Sequence, residues 1–139
     1  MPPQNPAHER LAAILRDHGI QPSAHRLAVA AYVLHTDDHP GADRVLEKAR
    51  EALPLVARAT IYNTLGLFVA KGLLREVIVE GRVVYDPNVA PHHHLIDDAT
   101  GRIHDVPWEA VRVEAPAGYE LAGIAAVLHG TAKKGNSTC

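Results

Sequence analysis

A change of hydrophobic period between residues 57 and 86 constrains this chain more than any other feature. In the stretch 57–74, "ARATIYNTLGLFVAKGLL", Ile61, Leu65, Phe68 and Val69 recur at i, i+4, i+7 and i+8. That spacing puts them on one face of a helix, which Gly72 closes. In the overlapping stretch 73–86, "LLREVIVEGRVVYD", the period falls to two about Glu80-Gly81-Arg82, which predicts a β-hairpin with glycine in the turn. Three shorter helices are expected upstream. The first covers residues 7–18, with Leu11, Ile14 and Leu15 on one face and Gly19 as its stop. Ser23 caps the second, whose stripe is Leu27, Ala30, Ala31 and Leu34. The third runs from Ala42 to Leu53 and ends near Pro54. The intervening TDDHPG, residues 36–41, is a loop, because His39 precedes a proline and is biased away from helical geometry. Three helices, a longer fourth and then a ribbon are the order of a winged helix-turn-helix. In that arrangement the last helix enters the DNA major groove and the ribbon flanks it.

If Ile61, Leu65 and Phe68 face inward, then Arg58, Tyr62 and Asn63 face outward. Arg and Asn contact phosphates or base edges, and Tyr packs on thymine methyls or bonds phosphate. The net charge of −2 does not favour a nucleic-acid partner, but its distribution does. No acidic residue lies between Glu51 and Glu76, whereas Arg58, Lys71 and Arg75 do. An ordinary solvated helix face is the alternative.

After Asp86 the segment PNVAP reads as a linker, so the expected division is residues 1–86 and 87–139 and the expected class is α+β. The runs HHHLIDD and RIHDV are expected as two strands joined across Ala99-Thr100-Gly101. A short helix over Trp108–Arg112 and a final strand over 118–130 should follow, then a polar tail, TAKKGNSTC. So small a unit cannot bury a good core alone and is expected to complete it by pairing with a second copy. No apolar run approaches the roughly 20 residues of a membrane span. The start MPPQNPAHER shows no secretory pattern, so a cytoplasmic location is expected.

Composition bears on the histidines. There are ten, against one cysteine, Cys139. A thiolate zinc knuckle is therefore excluded, and any metal must be held by nitrogen and oxygen donors. Residues two apart in a strand share a face, so His92 and His94 point together and His93 points away. Asp105 lies on the returning strand, Asp86 at the end of the wing, and His39 in the loop of the helical unit. His39, Asp86, His92, His94 and Asp105 would make a five-ligand site suited to Fe(II), Mn(II) or Zn(II). The alternative is a polar hairpin with three exposed histidines and unrelated acids. A metalloenzyme would need an open coordination position and a general base; five ligands leave little room, and no nucleophile motif is present. No enzymatic activity is expected.

The motifs "ARATIYNTL", "KGLLREV", "YD" and "HHHLI", with an aspartate eleven residues after the last histidine, resemble the ferric uptake regulator superfamily over roughly residues 19–130. The resemblance implies a dimeric regulator that binds double-stranded operator DNA, with "TIYN" as the recognition-helix signature and Tyr62 as its base-contacting tyrosine. "PSAHRLAV" is similar to the family's TxQRxxV segment, with Arg26 at the arginine position and His25 where glutamine is usual. Arg26, Arg58, Thr60, Tyr62 and Asn63 are thus the implied DNA contacts. The implied regulatory metal ligands are the same five residues reached above. The chain departs from the family where two CxxC pairs would bind structural zinc: Asp97 and Thr100 occupy the first pair's positions, and the second is missing. Arg112 and Ile124 stand where a second histidine–acid site would have ligands. These losses resemble one branch, the iron response regulator, as do the triple histidine, the "NTL" after Tyr62, "YDPNV" and the segment Pro116–Glu120. That branch implies a response to iron status through haem, with His92, His93 and His94 as implied haem contacts. The Cys-Pro haem motif of some members is absent. A peroxide-sensing repressor of the same family, in which a ligand histidine is oxidised at Fe(II), is the other reading that Asp105 permits. A haem or iron carrier that does not bind DNA fits less well, because of the wing and recognition helix.

Overall fold

The computed structural model describes residues 6–133. Contacts divide the chain into two units, Met1–Val89 and Ala90–Cys139, three residues beyond the boundary expected from the linker. The architecture is α+β.

The first unit is helical with a ribbon. Helix α1 spans Pro6–Asp17, α2 Ala24–Val33, α3 Ala42–Ala52 and α4 Arg58–Ala70. Strands β1 (Arg75–Val79) and β2 (Arg82–Asp86) pair antiparallel, with Arg75 opposite Asp86 and Val79 opposite Arg82. The two-residue turn places both Glu80 (φ 49°) and Gly81 (φ 77°) in the left-handed region. Such a turn matches the twist of the flanking strands, and Gly81 adopts it without steric cost. Ser23 caps α2 by accepting from the Arg26 N–H, as its residue type predicts.

The core gathers Leu11, Leu15, Val29, Val33, Val45, Leu46, Ile61, Leu65 and Phe68, with Tyr85 from the wing. On α4 the face read from the sequence is the buried one: Ile61, Leu65 and Phe68 are inaccessible and Val69 packs against them. On α2 the expected stripe is displaced. Val29, Ala30 and Val33 are buried, Leu27 and Leu34 pack partly, and Ala31 faces out. This helix contacts α1, α3 and α4 together, so its buried arc is set by three neighbours rather than one.

The second unit is a three-stranded sheet in the order β4-β3-β5. Strand β3 (His92–Asp97) pairs antiparallel with β4 (Ile103–Pro107) and parallel with β5 (Val127–Gly130). Two expectations are corrected here. The Trp108–Arg112 segment is a single 3₁₀ turn, Trp108–Ala110, and the strand expected over 118–130 contracts to β5. Residues 118–126 form no strand, and only Ala126, whose carbonyl accepts the His94 N–H at 3.2 Å, joins β3 ahead of β5. Of the expected polar tail, residues 134–139 lie outside the described residues. Among the described residues no helix is long and apolar enough to cross a membrane.

Candidate metal centre and DNA-facing helix

His39 and Asp86 meet within the first unit. His39 Nε2 lies 3.3 Å from Asp86 Oδ2, and both side chains are buried. His39 has a left-handed backbone (φ 52°), which a non-glycine residue adopts only where its surroundings compel it. Those surroundings are visible. The Tyr85 N–H donates to the Pro40 carbonyl at 2.9 Å, tying the loop to β2 one residue before Asp86. Asp86 Oδ1 meanwhile accepts the Asn88 N–H at 2.9 Å, so one oxygen shapes the following turn while the other faces His39.

In the second unit His92, His94 and Asp105 converge. His94 and Asp105 are direct cross-strand partners on β3 and β4. His92 Nε2 lies 3.1 Å from His94 Nε2 and 3.2 Å from Asp105 Oδ1; His94 Nε2 is 3.7 Å from the same oxygen. Donor atoms each about 2.1 Å from a shared ion lie about 3.0–3.5 Å apart, so this spacing fits one divalent cation. His92 Nδ1 donates to the Ala90 carbonyl at 2.7 Å. That bond places the ring proton on Nδ1 and leaves the Nε2 lone pair for a metal, the usual outer support of a ligating histidine. The donor set is nitrogen and oxygen alone, suited to iron, manganese or zinc.

His93 points the other way, as the strand period requires, but it is not exposed. It is 1% accessible. Its Nδ1 accepts the Ala126 N–H at 3.1 Å, and its ring stacks on Trp108 with centroids 4.7 Å apart. The picture of a polar hairpin with three exposed histidines therefore fails: all three are buried. The cause is β5, which covers the second edge of β3 and makes it a central strand. At the hairpin tip, where a family zinc pair would begin, Asp97 and Thr100 form hydrogen bonds. Asp97 Oδ1 accepts the Ala99 N–H at 2.9 Å, Thr100 Oγ1 accepts the Arg102 N–H at 3.2 Å, and the Gly101 N–H closes on the Asp97 carbonyl at 2.7 Å.

On α4, Arg58, Tyr62 and Asn63 are exposed, and Thr60 is half-buried beside them. Arg26 lies in the first turn of α2, with Nη1 donating to the Gln21 carbonyl at 2.8 Å. Sequence reasoning missed one partner. Arg58 is ion-paired with Asp43 of α3, which raises its already high pKa through the hydrogen bond and charge of that carboxylate. The acid-free window holds along the chain but not in space, and fifteen residues of separation hide the pair from any local pattern.

A helix-turn-helix with a wing, joined to a sheet unit that presents histidine and aspartate ligands, is the make-up of a metal-responsive transcription regulator. Residues 17–129 match the model of the ferric uptake regulator family, and the chain belongs to that family. A peroxide-responsive repressor, PerR, from Staphylococcus aureus is 32% identical over 101 residues, covering 72% of this chain and 68% of that protein. The structure of a zinc-bound manganese uptake regulator superposes with a TM-score of 0.66 at 21% identity, covering 91% of this chain and 98% of that one. The ferric uptake regulator from Pseudomonas aeruginosa, solved with manganese, gives 0.62 at 26%, covering 88% and 97%.

Proposed function

We propose that this chain regulates transcription in response to iron status, as in the iron response regulator branch. It would bind double-stranded operator DNA as a homodimer through Arg26, Arg58, Thr60, Tyr62 and Asn63. Its DNA affinity would be set by a divalent metal held by His39, Asp86, His92, His94 and Asp105. The observation that carries the reading is the convergence of His92, His94 and Asp105 at ligand spacing, with His92 oriented by Ala90. The His39–Asp86 pair supplies two more donors of the same chemistry. When bound, the ion supplies a divalent charge that offsets the carboxylates and ties together segments far apart in sequence. Exposed Val113, Tyr119, Leu121 and Leu128 on the small second unit support pairing with a second copy. Haem at His92, His93 and His94 rests on the sequence resemblance, and His93 would have to leave its stack on Trp108 to take part. An unchanged Soret band when haem is mixed with the His94→Ala variant would remove haem from this run.

The test is duplex affinity of the Mn(II)-loaded protein before and after chelation, using DNA from the chain's own promoter. Affinity should change on chelation in the wild type and not in His94→Ala. Identical affinity in both metal states would sink the metal-sensing reading.

A second reading is favoured by two observations, the identity to a peroxide-responsive repressor and the presence of aspartate at position 105. Here peroxide treatment of the Fe(II) form would add one oxygen atom to His39 or His92. Mass spectrometry that finds neither histidine oxidised would exclude it.

A further inference from the structure

Between α2 and α4 lies a pocket of about 240 Å³ lined by His25, Arg26, Thr60, Asn63, Thr64 and Leu67. No carboxylate lines it. Arg26 is held in place by the Gln21 carbonyl, a bond that uses one of the five N–H donors of a guanidinium. The Thr64 hydroxyl is turned to the Thr60 carbonyl at 2.7 Å, so it shapes the wall rather than serving a ligand. His25 and Asn63 add donors from opposite walls, and Thr60 adds a hydroxyl. His25 and Arg26 stand in the first turn of α2, which carries no acidic residue, so the positive end of that helix adds to the charge of Arg26. Such a lining repels a metal cation and offers little to an apolar ligand. Its chemistry fits a phosphate oxyanion. The pocket runs along α4, the helix that carries exposed Tyr62, where a strand of duplex would run if α4 occupies the major groove.

We propose that this pocket seats one backbone phosphate of the bound duplex, and that His25 is a DNA-contacting residue. Nothing in the amphipathic pattern singled out His25. The inference rests on the DNA-binding reading above and adds to it a defined phosphate contact, which fixes register rather than reading bases.

The test measures anisotropy of a fluorescein-labelled duplex with the full, Mn(II)-loaded chain over a salt series. His25→Ala should weaken binding roughly threefold to tenfold, one hydrogen bond's worth, equally on promoter and unrelated sequences. His25→Gln, which keeps an N–H donor, should restore most of it. Arg26→Gln should reduce the slope of log affinity against log salt by about 0.9, the signature of one lost phosphate contact. Calorimetric titration with inorganic phosphate separates the two sources of oxyanion. Saturable phosphate binding together with wild-type duplex affinity in His25→Ala would mark a free-anion site and overturn the proposal. So would an unchanged salt slope in Arg26→Gln, or equal losses in His25→Ala and His25→Gln accompanied by a lowered melting temperature, which would indicate packing. If Tyr62→Ala still erodes sequence preference while His25→Ala does nothing, the seat is wrong and the DNA-binding reading stands. If the wild type binds no duplex in either metal state, the underlying reading has failed instead.

Discussion

The chain contains two antiparallel hairpins of similar length with opposite fates. In the wing, β1 has one partner, and its outward side chains reach solvent: Ile78 is 67% exposed opposite half-exposed Val83. In the second unit β3 has β4 on one side and β5 on the other, and four of its six residues, including all three histidines, are buried. Alternation therefore means different things in the two places. In the wing it separates a wet face from a dry one only near the turn, where Ile78 and Val83 are exposed and Val79 and Val84 are buried. In β3 it separates two dry faces, one carrying His92 and His94 against Asp105 and the other carrying His93 under Trp108. A central strand can hold histidine rings in fixed geometry on both faces; an edge strand cannot.

The comparison can be broken at matched isoleucines. Ile96, 3% exposed on β3, should cost about 2–5 kcal/mol on truncation to alanine, the transfer and cavity penalty of a core residue. Urea unfolding followed by the fluorescence of Trp108, the single tryptophan, reports on this unit. A loss below half that lower bound would mean that β3 is not a central strand in solution. A smaller effect is expected at the hairpin tip, where Asp97→Ala removes the bond to Ala99 and should cost about 1 kcal/mol in the same assay. If the tip tolerates that change with no shift, hydrogen bonding is not what holds the turn.

Smaller still is the surface pair on α4. Asp43→Ala releases Arg58, and because exposed ion pairs are worth little, duplex affinity should rise by only about twofold. A fall in affinity would show that Asp43 orients Arg58 for DNA instead of competing with it. At the low end, Ile78→Ala in the wing should leave folding within about 0.5 kcal/mol of wild type by circular dichroism. A core-sized loss there would show that the wing's outer face is covered.

Much of the first unit was legible because its signals are local. The α4 stripe, the Ser23 cap and the Glu80-Gly81 turn each lie within one element, and the structure has them where the pattern puts them. The α2 stripe was misread because three helices share the burial of that one. The strand over 118–130 was over-extended because apolar content alone cannot say how much of a segment finds a hydrogen-bonding edge. His25 was legible only as a departure from the family's TxQRxxV segment, because a half-exposed histidine at a helix start has no periodic signature.

The division of labour is physical. Residue type and spacing alone determined that any metal would meet nitrogen and oxygen rather than thiolate, because the chain has one cysteine. They also determined that His92 and His94 share a face, because the strand period is two. Tertiary structure alone decided that His39 stands against Asp86, held by a loop bond from Tyr85 to Pro40. It alone decided that Arg58 is paired, and that His93 is buried by a parallel strand from the far end of the unit. Each of these depends on long-range contacts, which no local pattern encodes.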